Sequence, residues 1–596
     1  MLDPRLYRVA FVPVILALLV AAFSLQDRPR AIGTTLSTEA FDGIRAGQTL
    51  DTLADQFPAR RAGSPGDDAL ATYVARQLRQ SVPGEVSEHH YRATTVDGKR
   101  DLVDVIATRP GVPGPGVVVV AHRDAAQSDK AHPARAELSA TAALLELARV
   151  AADGRLRRTI TFISTSGGGV GATGASEEAK RLTETADAVI VLGPVAAATT
   201  RRPFVVPFSN GHGQAPVQLQ ATVQRAVDTE LGAEPGAPRA AVQWLRMAVP
   251  ATIGEQGPFL RAGKPAVLLS PTGERPAARD APLDERRMTR LGRTTLRVLY
   301  ALDNFRDYAK PPRDDLVIRG KVLPGWAVRL LVGTLLLPPL LMGIDALARL
   351  RRRHEPMGPW GVWALAGGIP FVLACIFARV LATAGLIHAP GAPVPGANLD
   401  LGVGAIAALL SIVLVFALGW LVARAALLHA SGAARLRRSE PDGPGATVAI
   451  TLLSTVVAAA IWFNNPYAAM LVVPAVHLWP WSLTPDLRWP RPAALAMVVL
   501  ALFPLALTWW VDARAFDLDP LHGVWFWTLL VAGGHVPVGA WVLWSLFWGC
   551  VVAAALVAIR KRRPRDEDPD RITVRGPVTY AGPGSLGGTS STTPRR

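Results

Sequence analysis

Cysteine is almost missing from this chain: its 596 residues include two, Cys375 and Cys550, both inside apolar runs. Two such residues supply neither a disulfide framework nor a thiolate metal site. Acidic residues are also scarce relative to basic ones, 47 against 63, which leaves a formal charge of +16. That excess invites nucleic acid, but the arginines gather beside hydrophobic runs, at 349–353, 435–438, 488–491 and 560–565. Membrane topology accounts for arginines so placed, and no nucleic-acid partner is expected. Long hydrophobic runs are absent from 32–310 and frequent on either side, which divides the chain into a soluble part and a membrane part.

The first apolar stretch, 9–25, follows Arg5 and Arg8 and is not succeeded by a small-residue cleavage pattern. Residues 1–31 are therefore expected to form a retained signal-anchor helix with a cytoplasmic N-terminus. From 311 onward, apolar spans fall at 326–346, 360–387, 401–428, 446–463, 467–483, 492–511 and 524–559. Gly533, Gly534 and Pro537 interrupt the last of these, so 524–538 reads as re-entrant or interfacial and 540–559 as the span. Eight spans result, one before the soluble part and seven in an all-α bundle over 311–565. A Gly-, Ser-, Thr- and Pro-rich stretch at 566–596 is expected to be a disordered cytoplasmic tail. The loops at 388–400 and 512–522 then face outward, on the side of the soluble domain. Arg329, Asp345 and Arg424 sit near span ends and can snorkel, whereas Arg379 lies deeper and is expected to face an interior, a cavity or a lipid headgroup. Pro338 and Pro339 are expected to kink their span, and Trp479 and Trp481 to anchor at the interface. Membrane lipid is an expected partner.

Residues 32–310 read as an extracytoplasmic α/β domain. Strand patterns at 102–108, 117–121, 159–164 and 188–192 alternate with helical spacing at 139–150 and 173–182, which predicts a mostly parallel sheet with helices on both faces. His122 and Asp124 leave the C-terminal end of the buried strand 117–121, where open α/β sheets place their chemistry. The glycine run at 166–171 is either a turn or an anion-binding loop, and it lacks the Lys-Ser/Thr ending of a nucleotide loop. His212, within SNGHG, reads as a loop residue.

Three segments in order carry a resemblance: the Gly-Ser-Pro turn at 63–65 before a helix, the His-x-Asp of His122 and Asp124, and GPFLRAGKPAVLL at 257–269. Together they resemble the di-zinc aminopeptidase family, metallopeptidase family twenty-eight. With the flanking spans, the layout is similar to endoplasmic-reticulum membrane metallopeptidases and to the non-hydrolytic subunit of the glycosylphosphatidylinositol transamidase. The resemblance implies a cleft built from His122, Asp124, Glu137, Gly168, Gly169 and Phe259, with His122 as a metal ligand. It also implies donors that this sequence does not provide: Ala136 stands where the bridging Asp belongs, with Glu137 beside it, Gly168 and Gly169 replace a Glu pair, and Ile190 and Pro276 replace the remaining ligands.

One imidazole cannot hold a catalytic zinc, which needs three protein ligands or more. His122 is thus either a vestigial ligand oriented by Asp124 or part of a buried hydrogen-bonded pair that fixes the strand end. The reading is a peptidase fold without a catalytic residue or cofactor, binding a peptide, protein or lipid-linked ligand. Two alternatives stand beside it. In one, Glu137, Asp187, Glu255 or Asp280 rebuild a zinc site in an active membrane aminopeptidase; in the other, Arg379 lines a cavity in a transporter or lipid-handling bundle that carries a sensor domain.

Overall fold

The computed structural model describes residues 3–153, 156–182, 186–304, 310–433, 444–484, 487 and 489–560. The expected tail at 566–596, the arginines at 435–438 and Arg488 lie outside the described residues.

Seven strands form the central sheet: β1 (Glu85–Thr95), β2 (Gly98–Arg109), β3 (Val112–His122), β4 (Arg158–Thr165), β5 (Ala186–Leu192), β6 (Val205–Val206) and β7 (Ala266–Leu269), in the spatial order β1-β2-β4-β3-β5-β7-β6. β3 lies at the centre because Val117–Ala121 are β-branched or small and bury both faces, as an interior parallel strand requires. Its neighbours β4 and β5 run parallel to it, and β7 runs parallel to β5. The remaining three pairings, β1 with β2, β2 with β4 and β6 with β7, are antiparallel, so the sheet is mixed rather than mostly parallel. A hairpin causes much of the difference. Thr95 pairs with Gly98 across the two-residue loop Val96-Asp97, and Gly98 takes φ +103°, a conformation that favours glycine.

Helices α1 (Gly43–Gln56), α2 (Pro65–Ser81), α3 (Arg135–Ala151), α4 (Thr173–Arg181), α5 (Val217–Leu231), α6 (Ala240–Ala248), α7 (Gln256–Arg261) and α8 (Glu285–Asp303) complete the domain. α2 starts where Ser64 Oγ accepts from the Asp67 amide at 3.4 Å and Pro65 fills the first turn, while α8 starts with Asp284 accepting from the Arg287 amide at 2.9 Å. The two sheet faces are covered by different helices. On β1, His89 contacts Glu178 of α4, whereas His90 shares a hollow with Asp68 and Thr72 of α2.

A second, three-stranded antiparallel sheet pairs Gln26–Asp27 with Lys321–Leu323 and the latter with Leu316–Ile318, tying the chain before the α/β domain to the chain after it. Among the described residues, six helices are long and apolar enough to cross a membrane: Pro4–Phe23, Gly325–Arg352, Gly358–Thr383, Val403–Ala430, Gly445–Asn464 and Val538–Ile559. The pair Arg491–Leu500 and Phe503–Phe516, bent by 46°, adds a seventh if it is one broken span. This is fewer than the eight expected. Pro466–Leu483 falls short because Pro474, Pro480 and His477 dilute its 18 residues, and most of it is buried among other helices. Trp479, expected at a membrane interface, is fully buried and stacks on Phe547 with ring centroids 5.6 Å apart. The helix Pro520–Gly533 has 14 residues, about 21 Å at 1.5 Å per residue, against roughly 30 Å of hydrocarbon.

The α/β domain is keyed into the helical bundle rather than tethered beside it. Leu245, Met247 and Ala248 of α6 belong to the core that contains Tyr467, Val472 and Phe547, and Ala251 and Ile253 belong to the one that contains Phe516 and Trp525. Polar contacts reinforce this join. Trp244 Nε1 donates to the Tyr467 carbonyl at 3.2 Å, Asn465 Nδ2 to the Met247 carbonyl at 2.8 Å, and buried Arg246 pairs with Glu274 at 2.8 Å and lies 3.8 Å from Asp512.

Candidate ligand cleft

The strand end delivers His122 where α3 and the segment before α7 each bring a carboxylate. Glu137, in the first turn of α3, places Oε2 3.2 Å from His122 Nε2, while Glu255, just before α7, places Oε2 3.5 Å from Nδ1. Both carboxylates are anchored from behind: Glu137 Oε1 accepts from the Ala277 amide at 2.5 Å and Glu255 Oε1 from Thr165 Oγ1 at 2.7 Å. Burial opposes a charged ring, yet the hydrogen bonds to Glu137 and Glu255 outweigh it and hold the His122 pKa well above the usual histidine range. Both ring nitrogens thus face a carboxylate oxygen.

Asp124 is fully buried. Its Oδ1 accepts from the Gly168 amide at 2.9 Å, and its Oδ2 is buried without a hydrogen-bond partner among the described residues. Burial pushes its carboxyl up to about 6, against the pull of the His122 charge. Behind the cleft, Arg60 spends its guanidinium on the carbonyls of Arg123 and Ala134, both at 2.9 Å, and of Pro133. Those bonds hold Ala134 left-handed, at φ 45°, immediately before α3.

The glycines are informative for what they leave out. A Cβ at Gly168 would lie 2.5 Å from His122 Cγ and 2.6 Å from its Cβ, so the ring occupies the volume any side chain at 168 would need. A Cβ at Gly169 would meet Asn398 Nδ2 at 3.2 Å, a much looser approach. Whether these residues fit the two zinc ions implied by the resemblance can therefore be tested. They do not: the positions expected to supply donors hold Ala136, Gly168, Gly169, Ile190 and Pro276, and a Glu at 168 would collide with His122. The carboxylates nearest the ring flank it on opposite sides. Among the described residues, the one trio of His, Cys, Asp or Glu whose ligand atoms all lie within 4.8 Å of one another is elsewhere, at His89, Asp104 and Glu178.

No protein-family model matches the chain, and no curated protein matches it. Among solved structures it is similar to a leucine aminopeptidase precursor from Bacteroides thetaiotaomicron, at 15% identity and a TM-score of 0.36, over 46% of this chain and 100% of that one. It is similar to a glutaminyl cyclase from Porphyromonas gingivalis at 16% identity and a TM-score of 0.32, over 44% and 98% of the two chains. It is also similar to the LapA aminopeptidase of Legionella pneumophila at 14% identity and a TM-score of 0.36, over 47% and 75%. The chemistry of the site rests on the distances above.

The cleft around this cluster has a volume of about 250 Å³ and is lined from both halves of the molecule. His122, Asp124, Glu137, Gly168 and Gly169 line it, whereas Phe259 does not: α7 is buried from Gln256 to Leu260, and Phe259 packs fully buried in the α/β core. Asp187 is also away from the cleft, paired with Arg158, and Asp280 is exposed. The expectations for the sequence missed the wall supplied by the bundle. Asn398 Nδ2 donates to the Gly169 carbonyl at 2.7 Å, Gln127 donates to the Ala397 carbonyl, and Arg275 pairs with Asp517 at 2.5 Å. The proline-rich run at 388–396 marked a loop but gave no sign of what it covers. Arg379 donates to the Ala532 carbonyl at 3.2 Å, beside the helix end at Gly533.

Proposed function

We propose that this is a membrane-embedded protein with a peptidase-like domain whose cleft binds a ligand without hydrolysing it. The observation that carries the reading is the volume at Gly168, filled by the His122 ring, where the related enzymes would need a Glu to accept a proton. A general base must come within hydrogen-bond reach of its water, and Glu137 and Glu255 are already engaged by His122, the Ala277 amide and Thr165. The lining sets the carboxylates of Asp124, Glu137, Glu255, Glu274 and Asp517 against Arg275 and Arg279, an excess that supports a ligand arriving with hydrogen-bond donors or positive charge, such as the amine end of a peptide, protein or lipid-linked molecule. A volume of about 250 Å³ suits one residue-sized group entering from a longer molecule, just below the roughly 300–1,000 Å³ usual for ligand sites. The wall at 395–398 and the neighbouring apolar helices support presentation of that ligand at a membrane surface, with the loops at 388–400 and 512–522 on the side of the soluble domain.

The test uses full-length protein in detergent or nanodiscs, incubated with aminoacyl-nitroanilides with and without added zinc. The expected result is no release above buffer, together with a shift in the thermal midpoint by amine-terminated peptides that is lost on N-acetylation. Hydrolysis abolished by His122→Ala would overturn the reading, as would two equivalents of zinc lost in that variant.

A further inference from the structure

Away from the cleft, the β1–β2 pair sets His89 directly opposite Asp104, and α4 lays Glu178 against them. One ligand atom from each falls within 4.8 Å of the others. Asp104 and Glu178 are buried, while the His89 side chain keeps 18% of its surface, which leaves an entry route.

The electrostatics of this trio do not close. Asp104 Oδ1 accepts from the Ser166 amide at 2.8 Å and from Tyr91 Oη at 3.3 Å, but its Oδ2 is buried without a hydrogen-bond partner among the described residues. Leaving such an oxygen dry costs about 1–3 kcal/mol, more if it is charged, and native interiors seldom do it. The nearest buried cation, Arg123, is already committed to Asp67 at 2.8 Å. Two carboxylates thus share at most one imidazolium charge, that of His89.

We propose that His89, Asp104 and Glu178 form a binding site for one divalent transition-metal cation, with zinc the ion this donor set suits best. An imidazole favours such ions over magnesium or calcium, and one nitrogen with two carboxylate oxygens leaves a fourth position for water. Zinc bonds of about 2.0–2.2 Å put tetrahedral donors roughly 3.3 Å apart, so donors that now lie up to 4.8 Å apart close in, while the His89–Glu178 pair opens from 2.8 Å and its hydrogen bond gives way to two metal bonds. The ion joins the edge strand β1 to α4. Through Asp104 and the Ser166 amide it also holds the start of the glycine loop that receives the His122 ring.

The experiment takes the full-length protein, stripped by chelator and then dialysed against zinc alone. One retained equivalent is expected, with a raised thermal midpoint on adding zinc. His89→Ala and Glu178→Gln lose both effects, and His122→Ala and Glu137→Gln keep them. If Glu178→Gln does not fold, His89→Gln, at a partly exposed position, decides. Absence of retained zinc, retention undiminished in the His89 variants, or loss in His122→Ala would each overturn the site. Only the last of these would also bear on the non-hydrolytic cleft, so the two ideas fail separately.

Discussion

Replacing Gly168 with alanine isolates the contact on which the proposed non-hydrolytic function turns. Gly168 is outside the left-handed region, so alanine meets no backbone penalty there, unlike Gly167 at φ +79° and Gly171 at φ +116°. The whole effect is the new methyl, 2.5 Å from His122 Cγ. The ring cannot swing away cheaply. Carboxylates hold it at 3.2 Å and 3.5 Å on opposite edges, and its backbone lies in β3 with Thr141 Oγ1 on its carbonyl at 3.1 Å. Overpacking a closed site costs about 1–3 kcal/mol. For a domain of this size, about 2 kcal/mol lowers the thermal midpoint by about 4–8 °C. Gly169→Ala is the control, expected near neutral because its nearest neighbour is the end of the Asn398 side chain at 3.2 Å. His122→Ala alone strands two buried carboxylates and costs about 3–5 kcal/mol. In the double variant the contact with Cγ goes with the ring while the residue-122 Cβ, 2.6 Å away, remains, so Gly168→Ala adds less to His122→Ala than it costs alone and the cycle shows coupling of up to about 2 kcal/mol. Thermal unfolding of the four proteins in detergent reads it. Additive losses would refute the claim that the ring and a residue-168 side chain compete for one volume.

Because the folded pKa of His122 is raised above its unfolded value, its contribution to stability is complete below about pH 6.5 and fades as pH rises through the folded value. Histidine-labelled NMR should find the ring still charged at neutral pH, and Glu255→Gln should bring its titration down; a ring that titrates at or below the usual value would contradict both. Asp124 also has its folded pKa raised, to about 6 from 3.8, so its neutral form stabilises below the unfolded pKa and that advantage is lost as pH rises through the folded one. Asp124→Asn should flatten this decline between about pH 4 and 6 in denaturation profiles. Arg246→Ala leaves Glu274 and Asp512 facing each other where α6 enters the bundle, at a cost of about 3–5 kcal/mol. Limited proteolysis should then cut around 246–253 first, and an unchanged pattern would argue that apolar packing alone secures the join.

Much of the frame was legible because its signals are local. The β-branched run ending at Ala121 announced the central strand, and the polar pair His122 and Asp124 just beyond it announced a strand end with chemistry. Glu137 and Glu255 were open as candidates, but the sequence alone did not tell that they approach the same ring from opposite edges. The mixed sheet had a signal that went unread: Asp97-Gly98 between alternating residues is a hairpin sign, and it produces the antiparallel edge that sets His89 against Asp104. Phe259 was misplaced because a Phe on a six-residue helix looks the same in sequence whether the helix borders a cleft or is buried on every side. Trp479 failed similarly, since aromatic residues near a span end mark an interface only when the helix faces lipid.

The least legible feature is the wall contributed by residues 395–398, more than two hundred residues from the glycine loop it touches. No periodicity or composition encodes such a meeting; it follows from α6 being sunk into the bundle, which fixes the α/β domain in one orientation. That orientation turns a strand-end hollow into a cleft closed by the helical half. An enzyme acting on soluble peptides gains nothing from having its substrate entrance bordered by a segment between apolar helices. A receptor for a group carried on a membrane-held molecule does, because the helices position the carrier while the carboxylates around His122 read its end. On the function proposed above, the Asn398 to Gly169 hydrogen bond, 2.7 Å long, is the contact that joins the glycine loop of the cleft to the bundle.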